Sequence, residues 1–440
     1  MLRYPFKESQ FEASFFAFIV DIRLEDQEFV YFSNMLEILV ILRMEGSPMK
    51  VVATALAFLL GGTLLVPSFT HAEEAKLKIA ENSSSAILIE RDTGEVLFEK
   101  DSDKKLPPAS MTKIMTMILI MEAIESGKIS LDQKVRASEY AASMGGSQIF
   151  LEAGEEMTVN DMLKGIAIAS GNDASVAMAE AIAGSEEEFV KLMNDKAESM
   201  GLSHTHFVNP TGLPAEDHYS TANDMALMAK ELLKYELITT YTGLYEDYLR
   251  QDTDKKFWLV NTNKLVKFYP GVDGLKTGFT SEAKYCLTAT AKRDNMRVVA
   301  VVMGAPSPKV RNAEITKLFD YAFSQYKTQK LFDRNNVVTE VKVNKGDQSS
   351  MSVVTSERVS VLLKKGQENG DITTSIKIKK DIETPVKQGD EVGELSVKID
   401  GHVTATSPVI SAENINKASW WQLMKRTAAQ FAKAPTQTVK

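Results

Sequence analysis

The sequence predicts a mixed α/β (α+β) domain, an antiparallel sheet flanked by helices, followed by a small all-β C-terminal domain and a terminal amphipathic helix. Three observations predict it. Helical spacing recurs between residues 110 and 235, and residues 271–303 run strand–turn–strand–turn–strand. From about Val337, short strand-like runs alternate with Gly, Asp and Asn. At 440 residues the chain is too long for one ordinary domain, and 44% apolar with 25% charged residues is a globular composition.

The N-terminal part reads as targeting sequence. Val51 to Val66 is an unbroken run of apolar or small residues, preceded by Lys50 and followed by Pro67-Ser-Phe-Thr-His-Ala72. That is the core and cleavage region of a signal peptide, and it is short for a membrane span. Residues 1–48 carry more acidic than basic groups, the reverse of a leader. We expect this segment not to be made, because codons for Met44-Glu-Gly46 can hold a ribosome-binding sequence. The start then falls at Met49 and the signal peptide spans 49–72. A buried helix and a genuine extension are the alternatives.

Residues 73–330 form the first domain. Ser84 to Glu90 and Val96 to Lys100 are apolar runs joined by Asp92-Thr-Gly-Glu95, a hairpin signal. Lys105-Leu-Pro-Pro-Ala109 reads as extended, since proline restricts itself and its predecessor. Ser110 to Ser126 is apolar almost all round, which predicts a buried helix stopped by Gly127. Helical spacing follows in Met157–Ile168, capped by Thr158, then in Ala174–Ile182, Glu186–Met200 and Tyr219–Tyr235, the last begun near Ser220. Gly274–Thr280, Tyr285–Lys292 and Arg297–Met303 are strands, and Ala313–Tyr326 closes the domain as a helix.

Residues 335–412 are expected to form a β-sandwich from Val337–Val343, Met351–Val354, Val359–Leu363, Ile372–Ile378 and Glu394–Ile399. Residues 415–434 are read as a helix. Trp420, Met424, Thr427, Ala428 and Phe431 share a face with Trp421 beside them, bordered by Lys417, Lys425, Arg426 and Lys433. A tryptophan-rich face edged by cations is the pattern of a helix lying on a membrane surface, with docking on its own domain as the alternative.

Three motifs carry chemistry. Ser-x-x-Lys begins at Ser47, Ser102, Ser110, Ser281 and Ser324, but only Ser110-Met-Thr-Lys113 opens a long apolar helix. Ser110 and Lys113 are three apart, so they share a helix face. A serine hydroxyl is a poor nucleophile until a base takes its proton, and a buried lysine near a second cation loses its own. Ser170-Gly-Asn172 lies between helical segments, where Ser170 can relay a proton and Asn172 can hold a substrate amide. The bland reading of that pair is a helix cap. Lys276-Thr-Gly278 lies on a strand. Lys276 and Thr277 can bind a carboxylate, and Gly278 leaves room for a substrate backbone added along the strand. The backbone N–H groups of Phe279 and Ser110 are the candidate oxyanion hole.

Read together, these motifs resemble the penicillin-binding serine D-alanyl-D-alanine carboxypeptidases of the low-molecular-mass class, peptidase family S11. Pro108-Ala-Ser-Met-Thr-Lys-Ile-Met-Thr116, Ile168-Ala-Ser-Gly-Asn-Asp-Ala174, Tyr219-Ser-Thr-Ala-Asn-Asp-Met-Ala226 and Gly271-Val-Asp-Gly-Leu-Lys-Thr-Gly-Phe-Thr280 carry the likeness. Within the family the chain looks nearest to the sporulation-associated type. The resemblance implies a serine β-lactamase/transpeptidase-like fold and release of the terminal D-alanine from peptidoglycan stem pentapeptides through an acyl-Ser110 intermediate. It implies β-lactam binding at the same serine, Lys113 as base, and Arg311 as a carboxylate-binding arginine. It also implies export to the outer face of the cytoplasmic membrane or the wall, with a peripheral C-terminal anchor. Gly171 departs from the Ser-Asp-Asn of class A β-lactamases and suits the carboxypeptidases. No Glu-x-x-x-Asn deacylating element occurs near residues 205–225, where Glu216 is the nearest acid. A serine β-lactamase and a wall-binding protein without turnover are the alternatives.

A net charge of −8 with no long basic run argues against nucleic acid as a partner. Cys286 is the single cysteine, so no internal disulfide can form, and its apolar strand reads as packing. His204, His206, His218 and His402 lack ligand company, so neither metal nor cofactor is expected.

Overall fold

One five-stranded antiparallel sheet organises the first domain of the structure, a computed structural model that describes residues 78–367, 370–380 and 382–433. The expected signal peptide and residues 1–48 lie outside the described residues. The strands are β1 (Ser85–Glu90), β2 (Val96–Lys100), β3 (Val272–Thr280), β4 (Lys284–Arg293) and β5 (Met296–Ala305). Their order is β2-β1-β5-β4-β3, with every pair antiparallel. Alternation along β1 explains the layering. Ile87 and Ile89 face the helical layer, whereas Ala86 and Leu88 face the opposite side.

The helical layer contains α1 (Lys113–Glu125), α2 (Val159–Ala169), α3 (Asn172–Ala183), α4 (Glu186–Ser199), α5 (Ala222–Leu232) and α6 (Leu237–Thr242). The all-round apolar pattern of α1 has the expected result: Ile114, Met115, Met117, Ile118 and Ile120 are fully buried. Gly127 ends this segment with φ +72°. Thr158 caps α2, its hydroxyl accepting from the Asp161 N–H at 3.1 Å. On the other face of the sheet lies α7 (Pro308–Gln325), packing Ile315, Leu318 and Phe319 against Leu88, Val298 and Val302.

Several boundaries differ from expectation for physical reasons. The segment opening at Ser110 is two pieces, a 3₁₀ turn over Ala109–Thr112 and then α1. Pro108 is already helical at φ −78° and ψ −13°, and Ala109 takes a left-handed φ of +48°. Helix α5 starts at Ala222 under a Thr221 cap, because Tyr219 and Ser220 are engaged in extended bridges to His206 and Leu106. Helix α7 starts at Pro308, ahead of the expected Ala313, under a Ser307 cap that proline at the first position favours.

The second domain is two β layers around one core. Strands β7 (Val337–Lys342), β8 (Ser350–Thr355), β10 (Ile372–Ile378), β11 (Glu391–Ile399) and β12 (His402–Ser411) pair in the order β7-β8-β12-β11-β10. Strands β6 (Tyr326–Phe332) and β9 (Val359–Lys364) form the second layer. Val353, Val361, Leu395 and Val409 meet between them. The β layer thus begins at Tyr326, ahead of the expected residue 335. The domain is tied to the β1–β2 turn, where Asp92 accepts from the Ser360 hydroxyl at 2.6 Å and pairs with Arg358 at 3.2 Å.

The terminal helix α8 spans Trp420–Lys433, starting later than the expected Ile415. Ile415 is buried in the second core and paired with Val386, which holds this stretch extended. Lys417 likewise precedes the helix, bridging Gly346. Trp420 and Trp421 are 72% and 60% exposed. Arg426, expected on an open cationic border, donates instead to the carbonyls of Gly346, at 2.8 Å, and Asp347. The side chains of Thr427, Ala428, Phe431 and Lys433 lie outside the described residues. Among the described residues no helix is long and apolar enough to cross a membrane.

Candidate active site

The three motifs converge where the 3₁₀ turn, the α2–α3 junction and edge strand β3 meet. Ser110 is half-buried on the turn, and Lys113 opens α1 with no exposure at all. The Lys113 Nζ donates to Asn172 Oδ1 at 2.7 Å and to the Thr211 carbonyl at 2.7 Å, and lies 3.2 Å from Ser110 Oγ, where an unprotonated amine accepts from the hydroxyl. Burial first, and the nearby Lys276 second, hold its pKa well below the ordinary lysine value. A neutral amine beside a serine hydroxyl is a general base.

Ser170 takes a left-handed φ of +66° at the end of α2, and Gly171 then turns the chain into α3. Its hydroxyl is buried without a hydrogen-bond partner among the described residues. Asn172 is fixed on both sides of its amide, because Nδ2 donates to the Gly145 carbonyl at 2.6 Å. Ser170 is the C-cap of α2 through its backbone, and the N-cap of α3 is Gly171, so neither side chain of the pair is used in capping.

Lys276 is buried on β3, with a pKa pushed down to about 7 by burial and then by the Arg311 guanidinium. Its Nζ donates to the Thr277 carbonyl at 3.0 Å, and Thr277 Oγ1 donates to Thr262 Oγ1 at 2.8 Å. Arg311 is buried in the first turns of α7, so the fold brings the residue singled out near 311 to the motif lysine. Burial draws its own pKa down to about 10. Lys276 and Arg311 thus place two basic groups close together.

Strand β3 ends the sheet, and among the described residues no strand pairs with its outer edge. Gly278 has a structural task of its own. A Cβ there would meet the Pro108 carbonyl at 2.6 Å and Ala109 Cβ at 3.2 Å, so its missing side chain lets β3 close on the nucleophile turn. The Phe279 ring is 54% exposed and stacks on Tyr285 at 4.4 Å. We expect Gly278→Ala to push turn and strand apart. Misplacement by about 1 Å costs on the order of 100-fold in kcat/KM, which peptide turnover by the folded variant measures.

The sequence matches the D-alanyl-D-alanine carboxypeptidase family, peptidase S11, over residues 70–307. The chain belongs to this family. Residues 326–417 match the C-terminal domain of penicillin-binding protein 5. The D-alanyl-D-alanine carboxypeptidase DacF of Bacillus subtilis is 63% identical over 356 residues, covering 81% of this chain and 92% of the relative. DacC of Escherichia coli is 32% identical, covering 86% and 94%. Among solved structures, penicillin-binding protein 5 of Haemophilus influenzae superposes with a TM-score of 0.59 at 28% identity, covering 76% of this chain and 98% of that one. Penicillin-binding protein D2 of Listeria monocytogenes in its ampicillin-bound form gives 0.50 at 30% identity, covering 56% and 99%.

In this carboxypeptidase-family chain the site also uses residues that sequence reasoning missed. The Thr211 carbonyl holds Lys113 because Asn209 folds the loop beneath it, accepting from Thr211 N at 3.2 Å and Gly212 N at 2.7 Å. Asp173, buried after Asn172, accepts from Ile149 N and Leu151 N at 3.0 Å each, clamping the loop beyond Ser147. His218 accepts from Val208 N at 3.1 Å through Nδ1, so Nε2 carries the proton that reaches Thr112 Oγ1 at 2.8 Å. Burial pushes its pKa down to about 4, which keeps the ring neutral. Asn-Pro-Thr-Gly at 209–212 was a turn signal that could have marked the loop; Asp173 stood inside the Ile168–Ala174 stretch with no role given to it, and His218 carried no signal. Glu216 lines a cavity of about 580 Å³ that reaches Ala109 and Gly212 next to the nucleophile turn. Cys286 is a packed thiol, donating to the Ala283 carbonyl at 3.3 Å, with burial pushing its pKa up to about 11.

Proposed function

We propose that this chain is a serine-type D-alanyl-D-alanine carboxypeptidase that acts on peptidoglycan stem peptides in wall biogenesis, through an ester on Ser110. The observation that carries the assignment of residues is the buried Lys113 amine 3.2 Å from Ser110 Oγ, beside a second buried lysine. Lys113 takes the serine proton as Oγ attacks the carbonyl carbon of the penultimate D-alanine. The N–H groups of Ser110 and Phe279 stabilise the oxyanion. Lys113 returns that proton through the Ser170 hydroxyl, which gives its own proton to the departing D-alanine nitrogen as the C–N bond breaks and regains one from Lys113. Water then hydrolyses the ester. Asn172 holds the substrate amide, and Lys276, Thr277 and Arg311 hold the terminal carboxylate. Gly278 keeps β3 against the nucleophile turn. β-Lactams, which carry an acyl centre and a carboxylate of the same kind, acylate the same serine.

The protein works outside the cytoplasmic membrane, as the apolar run Val51–Val66 supports, with α8 lying on the membrane surface. The exposed Trp420 and Trp421 support that placement. Wall remodelling in sporulation is the setting the sequence resemblance suggests.

The test is to incubate the exported chain with fluorescent penicillin and with a diacyl-Lys-D-Ala-D-Ala peptide. The expected result is a persistent adduct together with release of D-alanine. Rapid drug turnover would make the protein a β-lactamase, and absence of both reactions would leave a binding module.

A further inference from the structure

A cationic cavity of about 620 Å³ lies in the second domain at the foot of α8, far in sequence from the catalytic motifs. It is lined by Lys342 at the end of β7, Lys345 in the next turn, Lys380 after β10 and Lys417 before the helix, with Leu423 of α8 closing one side. Glu383 is the one acidic lining residue. A fifth lysine, Lys379, is neutralised by Glu391 at 3.0 Å. The other four make no ion pair among the described residues, so among these lining residues basic groups outnumber acidic ones. Such a concentration of positive charge recognises an oxyanion.

Its position says which kind. Arg426 fastens α8 to the carbonyls of Gly346 and Asp347, and the Ala418 N–H donates to the Lys345 carbonyl at 2.8 Å. The helix is therefore docked on the rim of the cavity, while Trp420, Trp421 and Met424 remain exposed beside it. An apolar face next to a cationic hole matches a molecule that is apolar at one end and anionic at the other. We propose that this cavity is a binding site for the phosphate headgroup of an anionic phospholipid, whose acyl region meets the exposed tryptophans. The proposal rests on the membrane placement of α8 and adds a defined headgroup pocket to it.

Vesicles of phosphatidylglycerol with phosphatidylcholine, and vesicles of phosphatidylcholine alone, test this with the full exported chain. The parent is expected to prefer the anionic vesicles. Lys345→Gln/Lys380→Gln/Lys417→Gln should bind them about 100-fold more weakly, from three interfacial cations lost. Its rate on a soluble D-Ala-D-Ala peptide should be unchanged, which also reports an intact fold. Lys128→Gln/Lys309→Gln/Lys364→Gln removes the same charge elsewhere and should bind as the parent does. Equal weakening of both triple variants, or of neither, overturns the pocket. Displacement of the parent from vesicles by soluble glycerophosphoglycerol, at a concentration equal to the lipid phosphate, would assign the site to a free phosphodiester and overturn the lipid source. The membrane reading is judged separately. Failure of the parent to bind any vesicle at low salt, or binding undiminished in Trp420→Ala/Trp421→Ala, sinks that reading.

Discussion

The Ser110→Ala variant is expected to lose both penicillin labelling and D-alanine release while remaining folded. Ser110 is half-buried on a turn whose backbone is set by Ala109 and Pro108, and its hydroxyl contacts Lys113. Removing one oxygen leaves that scaffold in place. It also leaves the acyl carbon without an attacking atom, since among the described residues no other serine hydroxyl lies within hydrogen-bond distance of a lysine amine. Loss of a serine nucleophile costs on the order of 10⁶-fold in kcat in a well-studied serine hydrolase, which places the variant below detection here. Ser102→Ala and Ser281→Ala should retain full labelling. Ser102 donates to Glu99 at 2.8 Å, and that neighbour is a carboxylate rather than a base of the Lys113 kind.

The second large effect is that of Lys276→Ala. Two losses combine. The carboxylate of the substrate loses a charged partner, worth about 100-fold in kcat/KM. Lys113 also loses the neighbouring cation that helps to depress its pKa. The sign follows directly. With that cation gone the Lys113 pKa rises, so a larger share of the amine is protonated at a given pH and cannot accept the serine proton. The acid limb of the kcat/KM profile should therefore move to higher pH, although burial, the larger cause, still holds Lys113 below the ordinary lysine value. A profile of unchanged shape that is merely lower would show that Lys276 acts only as an anchor. An unchanged kcat/KM would move the anchor to Arg311.

The elements that could be read in advance are those written in local pattern. Helix α1 is apolar on every side, and strands β3, β4 and β5 are separated by polar turns, so both were legible. The chemical motifs were legible because residue type carries their function. What escaped was made by partners distant in sequence. The Thr211 oxygen that holds Lys113 is a backbone carbonyl, and no side chain announces it. Gly278 signalled a close approach, but only the fold shows that the Pro108–Ala109 backbone is what approaches. Strand β12 went unread because Pro408 interrupts it; its pairing with β8 begins only at Val409. Helix α8 was read as starting early because Ile415 fits the helical pattern, yet pairing with Val386 holds it in the β-domain core.

Peptide mapping of the penicillin adduct tests the central claim most directly. After incubation of the parent protein with benzylpenicillin, digestion and mass analysis should find one acyl group, on the peptide containing Ser110. The adduct should block D-alanine release in proportion to its occupancy. An adduct on Ser102 or Ser281, or D-alanine release that continues with Ser110 fully acylated, would contradict the account.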